Sequence, residues 1–376
     1  MKSADEADWK VHRRLFPALE RCTYLNTANS GPVSAGAANA ACEYYQVSSS
    51  DYDNTVAERW TSGIEAARSR VANLIGAGVD DIGFVPNTSM AMTCAALLFE
   101  GAGAVLTGRG EHPSVVTPWF ARRFRVDVAD PDCDGRLTVA AYARAIRPDT
   151  RVIAVSHVRY NDGQVNDLQG LGALARAHGA HLVVDATQSA GILPLRVHDG
   201  IDVLGFAAFK WLNAGDGSGA IYVRSGLMER YGLPIAGNRS RRMQSLEQID
   251  QLDPLLQPRA FELGTSCAPN LLALGAALEV IDGIGTAPIQ QRVGTLTARL
   301  RCGLHSLRLA TATDATADVL TPIVSVYVAQ PEKTLAHLQE RRINVSLRDH
   351  RIRIAVSWYN NEADIDRCLN ELAGVR

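Results

Sequence analysis

Two side chains able to do chemistry together stand in the middle of the chain. The stretch LVVDATQSAG (182–191) places Asp185 at the end of an apolar run, with Gln188 three residues on. The stretch GFAAFKWLNAGDGSGAIYV (205–223) places Lys210 between an apolar run and a Gly-rich loop. A carboxylate at the end of a buried parallel strand faces whatever binds at the sheet edge. Burying it is costly unless something pairs with it. A lysine in apolar surroundings has a depressed pKa and becomes a usable amine nucleophile.

Either residue alone is ordinary. A lone lysine is commonly a solvated surface group, and a lone strand-end aspartate is commonly a helix cap. Together they form the arrangement that pyridoxal phosphate requires: a lysine for the Schiff base and a carboxylate that keeps the pyridine nitrogen protonated.

The elements around them read as a βαβ series. Strands are expected at DIGFV (81–85), AVLTG (104–108), RVIAVSH (151–157), HLVVDA (181–186), DVLGFA (202–207) and AIYVR (220–224). They are rich in Val, Ile and Leu with little alternation, the pattern of parallel strands buried on both faces. NDLQGLGALARAHG (166–179) puts Leu168, Leu171 and Leu174 on one helical face, with Asn166 as the expected N-cap and Gly179 as the stop. Residues 35–75 carry two further helical patterns, and residues 1–20 an amphipathic one. The fold class is α/β, a doubly wound domain with a mainly parallel sheet. A small α+β domain follows, with a helix near 287–307, a strand IVSVYV (323–328), a helix near 332–342, short strands INVSL and IRIAVS, and a helix from Glu362. The expected division is a large domain of 21–286 and a small one of 1–20 with 287–376.

Composition narrows the function classes. The chain has 376 residues, 47% of them hydrophobic and 21% charged, with a formal net charge of −2. These values suit a soluble globular enzyme and argue against nucleic-acid or membrane partners. Seven scattered cysteines form no disulfide framework. The charged start, MKSADEADWKVHRRLF, has no apolar core of a signal peptide. The longest uncharged apolar stretch, 86–99, is too short to span a bilayer. A cytoplasmic location follows as the expectation, and no metal site is expected. A nucleotide-binding reading fails on context, because the glycines of NAGDGSG (213–219) precede a strand rather than a helix.

From about residue 20 to its end, the chain resembles the class V group of fold-type I pyridoxal phosphate enzymes. The segments carrying the likeness are VVDATQSAG, the FKW that contains Lys210, and GSGAIYVR. That group includes cysteine desulfurases, selenocysteine lyases, kynureninases, some aminotransferases and isopenicillin-N-epimerase-like proteins. The resemblance implies that Asp185 pairs with the pyridine N–H and that Gln188 bonds the cofactor's phenolic oxygen. It implies a phosphate cup at Thr88 and Ser89 in FVPNTSMAMT (84–93), where a strand enters a helix. His112, in GEHPSVVTPW (110–119), would stack on the ring and move protons. Thr265, in FELGT (261–265), would reach the phosphate of a neighbouring subunit, which implies a homodimer with interfacial sites. Arg353, in IRIAVSWYNNEADIDRCL (352–369), would grip the substrate's α-carboxylate as a bidentate fork. Tyr160 and Asn29 fall on the substrate side.

Departures from the group bear on the substrate. Many relatives carry Ser-x-His before the lysine, where this chain has Ala207, Ala208 and Phe209. Where desulfurases carry Asn in the segment HVRYNDG, Tyr160 stands here, with Asn161 next. Desulfurases need a mobile cysteine shortly before the carboxylate arginine, and RRINVSLRDHRIRIA has none. Only Cys267 could substitute, from the other subunit. KWLNAGDGS, YNDGQV and NSGP (29–32) resemble kynureninases, but those have Tyr where Phe209 stands.

The leading expectation is a β-lyase acting on a cysteine-derived or similarly substituted amino acid. An aminotransferase, an epimerase, a kynureninase-like hydrolase and a non-catalytic scaffold of the same fold remain as alternatives. The basic loop GNRSRRM (237–243) would select a second anionic group if it faced the site.

Overall fold

The computed structural model describes residues 6–242, 253–313 and 321–374. In chain order the first elements are α1 (Glu6–Arg13), β1 (Thr23–Tyr24), α2 (Ala35–Ser50), α3 (Asn54–Ile75), β2 (Ile82–Val85) and α4 (Thr88–Leu98). Next come β3 (Ala104–Gly108), α5 (Pro113–Ala121), β4 (Val126–Ala129), α6 (Val139–Ala145), β5 (Thr150–Ser156) and α7 (Leu168–Ala177). Then follow β6 (His181–Asp185), β7 (Val203–Ala207), β8 (Gly219–Val223), α8 (Leu227–Tyr231), α9 (Ala268–Ile284) and α10 (Thr286–Ser306). The last elements are β9 (Ile323–Val326), α11 (Pro331–Glu340), β10 (Ile343–Asn344), β11 (Ser346–Arg348), β12 (Arg351–Ala355) and α12 (Glu362–Ala373).

The large sheet has seven strands in the order β2-β8-β7-β6-β5-β3-β4. Its strands lack alternation because both faces are covered. Leu182 and Val184 of β6 pack into a core shared with α3, α7 and α9. Val183, between them, packs into a second core with α4, α5 and α8. Gly205 of β7 lets α4 close on the sheet, since a Cβ there would lie 2.4 Å from that of Ala91.

The sheet is mainly parallel, as expected, but β8, read from the sequence among the parallel strands, runs antiparallel to both β7 and β2. Residues 208–218, between β7 and β8, hold no helix to make the crossover a parallel return needs. Asn166 does not cap α7. Asp167 does, accepting from the Gly170 N–H at 2.9 Å. Asn166 is buried and donates to the Ser156 carbonyl at 2.7 Å. Gly179 does end the helix, at a left-handed φ of 63°.

The C-terminal part builds a three-stranded antiparallel sheet, β11-β12-β9, backed by α10, α11 and α12. INVSL is not one strand. It splits at Val345 into β10, which pairs in parallel with β1, and β11, which pairs with β12. Among the described residues, no single helix is long and apolar enough to cross a membrane.

Candidate active site

β2, β3, β5, β6 and β7 run in one direction, so their carboxyl ends share an edge, the usual ligand edge of such sheets. A cleft of about 260 Å³ lies there. Nine residues expected from the sequence line it: Asn29, Thr88, Ser89, His112, Tyr160, Asp185, Gln188, Lys210 and Arg353. Thr265 does not.

Lys210 is carried on the loop after β7. Its carbonyl accepts from the Asn213 N–H at 3.2 Å, and the carbonyl of Phe209 accepts from the Gly31 N–H at 2.8 Å. A Cβ at Gly31 would fall 2.1 Å from the Lys210 carbonyl oxygen, so this glycine lets the 29–32 loop close over the lysine backbone. Nζ has no hydrogen-bond or ion-pair partner among the described residues. Burial is the main reason its pKa falls to about 8; Asp185 opposes the shift, while Arg353 and Arg348 add to it.

Asp185 ends β6, 6% exposed. Its Oδ1 accepts from the Thr187 N–H at 2.8 Å. Its Oδ2 has no partner among the described residues, and no cation lies within ion-pair distance.

The sequence reading missed Thr187. Its hydroxyl ties the loop after β6 to α4 by contacting the hydroxyl of Thr88, at the start of that helix. Asn87 caps α4 by accepting from the Met90 N–H at 3.0 Å. The backbone N–H groups of Thr88 and Ser89 therefore remain for an anion. Gln188 Nε2 donates to the Ala28 carbonyl at 2.9 Å, and Oε1 accepts from Trp211 Nε1 at 2.9 Å. The second hydrogen on Nε2 is left for a ligand.

His112 caps α5: its Nδ1 accepts from the Ser114 N–H at 3.2 Å. That fixes a neutral ring's proton on Nε2. Burial leads the forces that lower its pKa, although Asp185 pulls the other way. The ring meets Tyr160 edge-on, with centroids 4.9 Å apart. Behind it, Glu111 accepts from the Ser156 N–H at 3.0 Å and the Ser156 hydroxyl at 2.6 Å. Burial raises the Glu111 pKa against those bonds.

Arg353 sits on β12, the central strand of its sheet, 1% exposed. Nε donates to Ser346 Oγ at 3.0 Å and Nη1 to the Tyr160 carbonyl at 2.6 Å. Nη2 is buried with no partner. Burial, then Arg348, lowers its pKa to about 10, which leaves it charged at neutral pH. Arg348, also missed in sequence, lines the cleft and donates to Asn29 Oδ1 at 2.9 Å. Paired arginines on facing hairpin strands were the signal available for it.

Thr265 and Cys267 line a separate apolar cleft with Phe84, Met90 and Cys94. The described part of the basic loop, residues 237–242, lines neither cleft. No group of His, Cys, Asp and Glu among the described residues could hold a metal ion.

The residues fit pyridoxal phosphate. Lys210 Nζ and Asp185 Oδ2 have no hydrogen-bond or ion-pair partner among the described residues, and the start of α4 brings Thr88 and Ser89 to the same cleft. Known proteins agree. The chain is 28% identical over 370 residues to the uncharacterized aminotransferase YcbU of Bacillus subtilis (strain 168), covering 96% of each. It is 29% identical over 338 residues to the cysteine desulfurase IscS of Anaeromyxobacter sp. (strain Fw109-5), covering 86% of this chain and 74% of that one. Among solved structures it is similar to C-DES, described as a cystine C-S lyase, in complex with its reaction product cysteine persulfide. There the TM-score is 0.87 at 24% identity, covering 96% of this chain and 99% of the other. A C-DES mutant with glycine covalently linked to the PLP cofactor gives 0.88 at 24% identity, covering 97% and 99%. The protein is thus a pyridoxal-phosphate-dependent enzyme with the fold-type I architecture. The aminotransferase class-V family matches residues 23–368, and the chain belongs to it.

Proposed function

We propose that the enzyme is a β-lyase, releasing a leaving group from Cβ of a cysteine-derived or similarly substituted amino acid. The observation that carries this reading is His112: it lines the cleft with Nδ1 committed to the Ser114 N–H, so a neutral ring keeps its Nε2–H as a hydrogen-bond donor for the departing group. When bound, pyridoxal phosphate supplies an electron-accepting ring conjugated to the substrate's Cα.

The chain's own residues do the rest. Lys210 holds the cofactor and, once released by the substrate, takes the Cα proton; an amine with a pKa near 8 suits that task. Asp185 accepts the pyridine N–H at Oδ2. Gln188 turns its second N–H to the phenolic oxygen, and the start of α4 takes the phosphate. Arg353 binds the α-carboxylate through Nη2, oriented by Ser346 and the Tyr160 carbonyl. The Lys210 ammonium then passes its proton to the departing group, which His112 steadies with a hydrogen bond from Nε2–H.

Thr265 lies away from its own cleft, which supports a homodimer in which it reaches the neighbour's phosphate. Seven free cysteines support a cytoplasmic home. Two features favour a lyase over persulfide relay: no cysteine precedes Arg353 in the 341–355 segment, and no described cysteine lines the cleft. An aminotransferase is the second reading, favoured by the likeness to YcbU across 96% of both chains.

The test is to incubate the holoenzyme with cysteine conjugates and quantify pyruvate, ammonia and pyridoxamine phosphate. Stoichiometric pyruvate and ammonia are expected. Conversion to pyridoxamine phosphate without pyruvate would replace the lyase by the aminotransferase.

A further inference from the structure

The charged groups lining the cleft do not balance. Lys210, Arg348 and Arg353 bring three positive charges, and Asp185 brings the single carboxylate. The cofactor engages Lys210, Asp185 and the start of α4. Two guanidiniums remain, and an α-carboxylate neutralises only one.

Strand geometry puts them side by side. Ser346 of β11 pairs in register with Arg353 of β12, and its hydroxyl holds Arg353 Nε. Arg348, two residues further along β11, shares the face of Ser346. Its Nη1 donates to the Leu347 carbonyl at 2.9 Å and its Nη2 to Asn29 Oδ1 at 2.9 Å. Both partners are neutral, and no carboxylate among the described residues pairs with Arg348. Asn29 thus orients the guanidinium without discharging it.

We propose that Arg348 binds a second anionic group of the substrate, so that the enzyme prefers amino acids whose β-substituent ends in a carboxylate. This deepens the reading above and rests on Arg353 taking the α-carboxylate. The remaining N–H groups of Arg348 meet the distal carboxylate, and Asn29 fixes their direction. A neutral side chain would leave the guanidinium facing the cleft uncompensated.

The test compares S-carboxymethyl-L-cysteine with its amide, S-carbamoylmethyl-L-cysteine, which matches it in size and lacks the distal charge. Dissociation constants are read from the absorbance change of the holoenzyme's cofactor, and pyruvate is assayed in the same samples. The acid should bind at least about tenfold more tightly, as a charge-assisted pair implies. Arg348→Gln should shrink that ratio to about twofold or less, and Arg348→Lys should keep part of it. Equal affinities in the wild type, or an undiminished preference in Arg348→Gln, would overturn the proposal. Preference for the acid without pyruvate would uphold Arg348's role and remove the lyase reading. Pyruvate without charge preference would do the reverse.

Discussion

Arg353 reaches across the cleft wall to Tyr160, its Nη1 donating to the tyrosine carbonyl at 2.6 Å while Nη2 stays buried and unpaired. A buried guanidinium with an open N–H is costly in isolation. In the proposed mechanism the substrate's carboxylate takes that opening. Arg353→Lys keeps the charge but loses the fork. It should raise KM for α-amino acids by about tenfold to a hundredfold, with a smaller change in kcat. Steady-state kinetics check this, and an unchanged KM would move the carboxylate site elsewhere.

Asp185 keeps one oxygen on the Thr187 N–H, and its other oxygen, unpartnered among the described residues, is the one proposed to meet the pyridine nitrogen. Asp185→Ala should loosen the cofactor and cut kcat by on the order of a hundredfold or more, the scale of losing one preorganised electrostatic partner. Equilibrium dialysis and turnover assays measure both. Near-wild-type values would defeat the pyridinium role.

The Lys210 pKa of about 8 has a defined sign. Burial penalises the ammonium form, so the neutral amine appears at lower pH than in an ordinary lysine. At pH 7 roughly one molecule in ten is neutral, against fewer than about one in a thousand at the usual pKa of ~10.4. Capture of pyridoxal phosphate by the apo-protein should quicken about tenfold per pH unit and level off near pH 8. Arg348→Gln removes a repelling charge and should move that break upward. Stopped-flow absorbance across pH 6 to 10 reads it; a break near 10 in the wild type would contradict the burial argument.

Thr265 can be assigned by complementation. If it acts on the neighbour's site, a mixed dimer of Lys210→Ala and Thr265→Ala chains carries one intact site. That dimer should recover about half of wild-type activity, whereas either parent stays impaired. Action within one chain would leave the mixed dimer no better than Thr265→Ala alone.

Much of the cleft was legible because its residues sit at element ends that local sequence marks. Asp185 closes an apolar run, Lys210 opens a Gly-rich loop, and Thr88 and Ser89 begin a helix. What escaped depends on neighbours brought together by folding. The Thr187 hydroxyl meets that of Thr88, 99 positions away in sequence. Ser156 matters through Glu111 of another loop. Arg348 matters because β11 turns back on β12, and INVSL gave no sign of where its pairing changes partner. The edge strand β4 was missed because its four residues are mostly half-exposed or exposed, so no buried run announces it. Asp167 and Asn166 are both good capping residues, and only the buried bond from Asn166 to Ser156 decides between them.

The most direct test is to reduce the purified holoenzyme with borohydride, digest it, and locate the pyridoxyl group by mass spectrometry. The account predicts loss of the visible absorbance band and a single modification at Lys210. A label on another lysine, or a cofactor released unmodified, would contradict the role given to Lys210 and with it the site built around it.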